Sequence, residues 1–151
     1  MREPAAEPSV QPRPASRAPT TLKPSGPLVL VIDDDATVRD LVFRSLTKEG
    51  FQVVAAVGGE QGLELARKFK PAVITLDVMM PGMDGIELCR VVRERADTQN
   101  TPVLILSARG DAESIMRGIE AGANDYLPKP ILHHDLVAKV RVMLEQVDGA
   151  A

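Results

Sequence analysis

The sequence predicts an α/β fold, a doubly wound sandwich in which helices cover both faces of a five-stranded parallel sheet. Three observations carry this prediction. Short apolar runs rich in β-branched residues alternate with segments of helical periodicity. The alternation repeats five times between residues 28 and 147. The runs are also nearly continuous in apolar character rather than alternating, as strands buried on both faces are. Strands separated by helices of this length pair in parallel through right-handed crossovers.

Taken in order, Leu28–Ile32 is the first strand. Val38, Leu41, Val42, Ser45 and Leu46 follow at helical spacing, and Gly50 supplies a stop. Phe51–Val57 reads as a strand before Gly58 and Gly59. Leu63, Ala66 and Phe69 mark a short helix that Pro71 ends. Val73–Leu76 is the third run and terminates in Asp77. The loop "VMMPGMDG" leads to a helix from about Ile86 to Arg95. Val103–Leu106 is the fourth strand, and Ile115 and Ile119 mark a helix with Gly122 just past its end. Tyr126 and Leu127 lie in a short fifth strand, and Leu136–Val147 is a last amphipathic helix.

Residues 1–27 are of another kind. They hold seven of the twelve prolines, and their only large aliphatic side chains are Val10 and Leu22. Such a segment buries too little apolar surface to offset its chain entropy, so it is expected to be a disordered tail. It carries four basic and two acidic side chains, which leaves 14 basic and 19 acidic for the rest. An inert leader is its plain reading and a docking segment the sharper one. Residues 28–147 then form the folded domain, with a short tail at 148–151.

Bulk properties narrow the function. The chain of 151 residues suits one domain, and 3% aromatic content calls for an aliphatic core. A net charge of -3 argues against a nucleic-acid surface. No apolar run reaches membrane-spanning length. The N-terminus lacks a charged-then-apolar leader, so the cytoplasm is the expected compartment. The single cysteine, Cys89, fits a reducing environment, and its position beside Ile86 and Val92 makes it a core residue.

The polar residues fall at one edge. In open parallel sheets, ligands bind beyond the carboxyl ends of the strands. The first strand ends in Asp33 and Asp34, the third in Asp77 and the fourth in Ser107, while the fifth is followed by Lys129. The stretch "IDDDAT" sets three acids in a row, and nothing basic follows until Arg39. Clustered carboxylates need a counter-charge. Lys129 supplies one, and a hard cation such as Mg²⁺, bound through one or two carboxylates and water, would supply more. A carboxylate beside a cation, a lysine and a hydroxyl suggests phosphoryl transfer to that carboxylate. Asp35 has the plainer role of helix N-cap, and Asp84 that of a turn or cap residue. His133 and His134 open the last helix and are expected to face solvent.

"VLVIDDD", "LDVMMPGMDG", "ILSAR" and "DYLPKP" together resemble the receiver domain of two-component response regulators. The resemblance spans roughly residues 28–147. It implies a flavodoxin-like sheet of order 2-1-3-4-5. Asp77 matches the phosphoacceptor, itself also a metal ligand, Asp34 the acid that binds Mg²⁺ directly and Asp33 the one that acts through water. Met79 matches the position that lends a backbone carbonyl to the metal. Ser107 matches the hydroxyl residue and Ala108 the small neighbour that keeps the phosphate accessible. Lys129 matches the phosphate-pairing lysine, and the Lys129–Pro130 bond is cis in that family. Tyr126 matches the switch aromatic that turns inward when Ser107 moves toward the phosphoryl group. Met79 and Arg109 flank the path of water to the phosphoryl group, which implies slow to moderate self-dephosphorylation.

The partners so implied are a sensor histidine kinase or phosphotransfer protein, a downstream protein target met through residues 103–147 and, as an option, a second copy after phosphorylation. No direct nucleic-acid or membrane contact is expected, and no enzymatic activity beyond self-phosphorylation and self-dephosphorylation. With about four residues after the last helix, a stand-alone receiver is preferred to a fragment of a longer regulator or hybrid kinase. "DDDAT" also fits the signature of haloacid-dehalogenase-type phosphatases, with Asp33 as nucleophile and Asp35 as general acid. That reading leaves Asp77 and its loop unexplained. A pseudo-receiver that is never phosphorylated leaves the full residue set unexplained.

Overall fold

Five of the apolar runs become strands of one parallel sheet in the computed structural model, which describes residues 26–108 and 112–150, with side chains to Glu145. The elements are β1 (Leu28–Ile32), α1 (Ala36–Lys48), β2 (Gln52–Ala56), α2 (Gly59–Phe69), β3 (Val73–Asp77), α3 (Gly85–Glu94), β4 (Val103–Ala108), α4 (Ala112–Glu120), β5 (Asp125–Lys129) and α5 (His133–Ala150). The strand order is β2-β1-β3-β4-β5, all parallel, as expected. The reversal of direction in that order falls between β1 and β3, where doubly wound sheets place their ligands.

The sheet divides the interior into two apolar cores. Alternate residues of each central strand point to opposite faces. Leu30, Ile32, Ile74, Leu76 and Ile105 pack with Ile86, Leu88, Cys89 and Val92 of α3 and with Ala66 of α2. Val29, Val31, Val73, Leu104 and Leu106 pack instead with Val42 and Leu46 of α1 and with Leu136, Val140 and Met143 of α5. Cys89 is buried, as its spacing implied, and desolvation pushes its thiol pKa upward.

The helices start and stop where local chemistry dictates. Asp35 is the N-cap of α1, its carboxylate accepting the Thr37 N–H at 2.9 Å. Asp84 caps α3 in the same way, through the Glu87 N–H at 2.8 Å. Gly50, just past α1, has φ +95°, a conformation that costs a glycine little. Several bounds differ from the sequence reading, three of them by enough to matter here. α2 starts at Gly59, a full turn before its first apolar marker. β4 runs on to Ala108, so Ser107 lies within the strand. α5 continues to Ala150, through most of the expected 148–151 tail. The expected N-terminal tail falls, up to residue 25, outside the described residues.

Candidate functional site

The register sets the site. Ile32 pairs with Leu76, so Asp33 and Asp77 stand level at the ends of neighbouring strands. Asp77 in turn pairs with Leu106, one residue before Ser107, and Ala108 pairs with Lys129. Residues far apart in the chain, Asp33 and Lys129 among them, thus meet at one sheet edge without any local sequence signal.

Asp33 is the most constrained of the acids. It is 0% exposed. Its N–H donates to the Ala56 carbonyl at 3.1 Å, and its Oδ1 accepts the Asp35 N–H at 2.9 Å. Lys129 Nζ lies 3.3 Å from Asp33 Oδ2 and 3.5 Å from Asp77 Oδ1, so one ammonium bridges two carboxylates. Asp77 Oδ1 also accepts the Met79 N–H at 3.2 Å. Asp34 is exposed and completes a group of three carboxylates, each offering one oxygen that lies within 4.8 Å of the other two.

Electrostatics follow from this crowding. Burial raises the Asp77 carboxyl pKa from its ordinary value, and the charges of Asp33 and Asp34 add to the effect. The Met79 N–H and the Lys129 ammonium oppose it. One lysine does not balance three acids, so the site favours an added cation. Its donors are hard carboxylate oxygens, two of them buried and one open to solvent, a set suited to Mg²⁺ with its retained waters.

The remaining expected residues fall as follows. Ser107 is buried, and Ala108 is exposed next to Lys129 in register. The Lys129–Pro130 peptide is cis. Tyr126 lies on the edge strand β5 with 38% of its surface exposed. Met79 is 70% exposed, whereas its neighbour Met80 is 7% exposed and belongs to the core on the α2–α4 side. A groove of about 420 Å³ opens beside the loop after β3, lined by Met79, Pro81, Asp84, Ser114 and Arg117. Arg109 lies outside the described residues.

Two features were not anticipated. His134 is exposed, but His133 is half-buried, with Nε2 3.1 Å from Glu49 Oε2, because the start of α5 packs against the end of α1. Arg39, noted in the sequence only as the first base after the acid run, turns back so that its Nη1 donates to the Asp33 carbonyl at 2.8 Å. Its spacing from Asp33 was the one available hint.

The phosphatase alternative fares poorly on this geometry. Both Asp33 carboxylate oxygens are engaged, one by a backbone N–H and one by Lys129. The oxygen cluster among the described residues draws in no acid from beyond Lys129, where that chemistry needs one.

Comparison with known proteins agrees with the geometry. Residues 29–141 match the family model described as the response regulator receiver domain. The transcriptional regulatory protein AfsQ1 of Streptomyces coelicolor is 42% identical over 120 residues, which cover 80% of this chain and 52% of that protein. The response regulator MprA of Mycolicibacterium vanbaalenii is 42% identical over 125 residues, 81% of this chain and 53% of that protein. The chain thus spans about half the length of these relatives. Among solved structures, the chemotaxis protein CheY4 of Vibrio cholerae superposes with a TM-score of 0.76 at 32% identity, covering 80% of this chain and all (100%) of that one. The receiver domain of the Francisella response regulator 1452 gives 0.74 at 34% identity, covering 81% of this chain and 99% of that one.

Proposed function

The chain belongs to the response regulator receiver family of two-component signalling, and on that premise we propose that Asp77 accepts a phosphoryl group from a phosphohistidine partner. The single observation that carries the proposal is the shared ammonium: Lys129 Nζ sits 3.5 Å from Asp77 and 3.3 Å from the buried Asp33. An ammonium held there can pair with a phosphoryl oxygen as charge builds on it.

Chain residues divide the work. Asp77 Oδ1 is held by the Met79 N–H and Lys129, which leaves Oδ2 to attack phosphorus in line with the leaving imidazole nitrogen. The P–N bond breaks as the P–O bond forms, and the released imidazole regains a proton. Asp34 and Asp77 directly, Asp33 through water and the Met79 carbonyl would hold Mg²⁺. When bound, this ion neutralises phosphoryl oxygens and lowers the repulsion among the carboxylates. Ser107 hydrogen-bonds the transferred group, and Ala108 leaves the approach open. Met79, beside the acceptor, restricts the water that would hydrolyse the acyl phosphate.

The readout is a shift between two arrangements of one surface. Ser107 moves toward the phosphoryl group, Tyr126 leaves its exposed position for the space vacated, and the surface formed by residues 103–147 changes its preference for a downstream protein. A second copy of the chain is an alternative occupant of that surface. Among the described residues no helix is long and apolar enough to cross a membrane. The domain boundaries proposed are 28–147 for the receiver, preceded by the tail 1–27, with the last helix carrying on to Ala150. The expectation of no nucleic-acid contact is confined to the receiver residues, since one relative is named as a transcriptional regulator.

The test is phosphorylation by acetyl phosphate and by a phosphorylated kinase, followed by intact-mass measurement. Wild type should gain one phosphoryl group only when Mg²⁺ is present, and Asp77→Asn should gain none. Label retained by Asp77→Asn, or mapped to Asp33, would overturn the assignment.

A further inference from the structure

We propose that Arg39 is a positioning residue for the cation site. It acts through the Asp33–Asp34 peptide and touches neither metal nor phosphoryl group; the inference rests on the Mg²⁺-dependent reading above. The contact is specific. Arg39 lies in the second turn of α1, and its Nη1 donates to the Asp33 carbonyl at 2.8 Å. That carbonyl belongs to the peptide that carries Asp34. Fixing its plane fixes the direction in which the Asp34 side chain leaves the backbone.

Asp34 needs such help more than its neighbours do. The Asp33 N–H, Oδ1 and Oδ2 are each engaged, by Ala56, Asp35 and Lys129. The Asp77 carboxylate is held by Met79 and Lys129. Asp34 is exposed and makes no hydrogen bond to another described residue, yet its oxygen lies within 4.8 Å of those of Asp33 and Asp77. Its placement therefore comes from the backbone alone. Downstream, Asp35 and the Thr37 N–H pin the chain to the start of α1. Upstream, Arg39 is the side chain that pins it. A guanidinium suits the task, being planar, permanently charged and a directional donor.

Charge alone makes the opposite prediction. A cation so close to the cluster competes with Mg²⁺, so neutralising Arg39 would tighten metal binding if Coulomb repulsion ruled. If positioning rules, loss of the donor loosens the site. Removing the outer partner of a metal ligand commonly lowers affinity about tenfold or more.

The experiment measures Mg²⁺ binding by calorimetry for the full chain, wild type against Arg39→Met and Arg39→Lys. Met keeps most of the apolar stem and loses the donor; Lys keeps a charged donor. The expected result is an Mg²⁺ dissociation constant about tenfold higher for Arg39→Met, with more than half of the loss restored by Lys. The phosphorylation rate at saturating Mg²⁺ should stay near that of wild type, so the defect lies in metal concentration and not in the maximal rate. An Arg39→Met dissociation constant equal to or lower than that of wild type overturns the proposal, even if its thermal stability falls. Wild type that binds Mg²⁺ but takes no phosphoryl group overturns the acceptor reading instead and leaves the Arg39 comparison intact.

Discussion

Thr75→Val should stabilise the protein. Thr75 sits in the middle of β3 with 0% exposure, level with Val31 on one neighbouring strand and Leu104 on the other. Both neighbours belong to the apolar core against α1 and α5. Its Oγ1 has no hydrogen-bond partner among the described residues. A buried hydroxyl without a partner costs about 1–3 kcal/mol. Valine has the same branched shape, satisfies the same strand backbone and adds a buried methyl in place of the hydroxyl. A crowding cost at the new methyl offsets part of the gain, leaving about 1–2 kcal/mol net. For a domain of this size each kcal/mol corresponds to about 4 °C in Tm. Urea unfolding followed by circular dichroism gives the free energy, and an unchanged slope shows that the folded and unfolded states are otherwise the same. Thr75→Ser, which keeps the hydroxyl and loses the methyl, should be less stable by about 1 kcal/mol. The reasoning fails if Thr75→Val is no more stable than wild type, because the hydroxyl would then have a partner worth keeping.

Three other outcomes are expected. Gly85→Ala should cost about 2 kcal/mol and slow phosphorylation, since its Cβ would lie 2.7 Å from Val78 Cα and 2.7 Å from Leu76 Cδ1 and press on the Asp77 carbonyl; urea unfolding and an acetyl-phosphate time course check the two effects. Arg93→Leu should cost about 3 kcal/mol in urea unfolding, because its guanidinium donates to the carbonyls of Gly122 at 2.9 Å and Thr101 at 2.6 Å and to Asn124 Oδ1 at 2.7 Å, and lysine in its place should restore less than half. Glu49 has its carboxyl pKa lowered by hydrogen bonds from His133 and then Arg141, so its contribution is fully present above its unfolded pKa near 4.5 and is lost as pH falls through the lower folded value. Glu49→Gln should therefore be less stable than wild type at neutral pH, with the gap closing below that window in a pH series of melting curves.

Most of the fold was legible because the inner strands are apolar on both faces. Val73–Leu76 and Val103–Leu106 need no context to be read as buried strands. β5 was harder. Its sequence, DYLPK, buries only Leu127 fully, since an edge strand carrying a proline can present polar residues to solvent. Extents were harder than existence. The sequence ends the fourth strand in Ser107 and sets Lys129 after the fifth, yet pairing continues to Ala108 and through Lys129, because ladders persist beyond the apolar stretch that identifies them. The acid trio could be sorted only in part. The cap role of Asp35 follows from its place before a helix, but the bridge of Lys129 to Asp33 and Asp77 depends on strand order. The turn of Arg39 back to the Asp33 carbonyl and the Glu49–His133 contact depend on side-chain directions that no periodicity encodes.

The sheet acts as a partition. Leu30 and Ile74 face one compartment while Val31 and Val73, their chain neighbours, face the other, and the two sets of helices do not share a core. Substitutions that repack α2, α3 and α4 can accumulate without refitting α1 and α5, and the reverse holds equally. What both sides must preserve is the strand register itself, since a slip of one residue in β3 would exchange the contents of the two compartments and carry Asp77 out of line with Asp33.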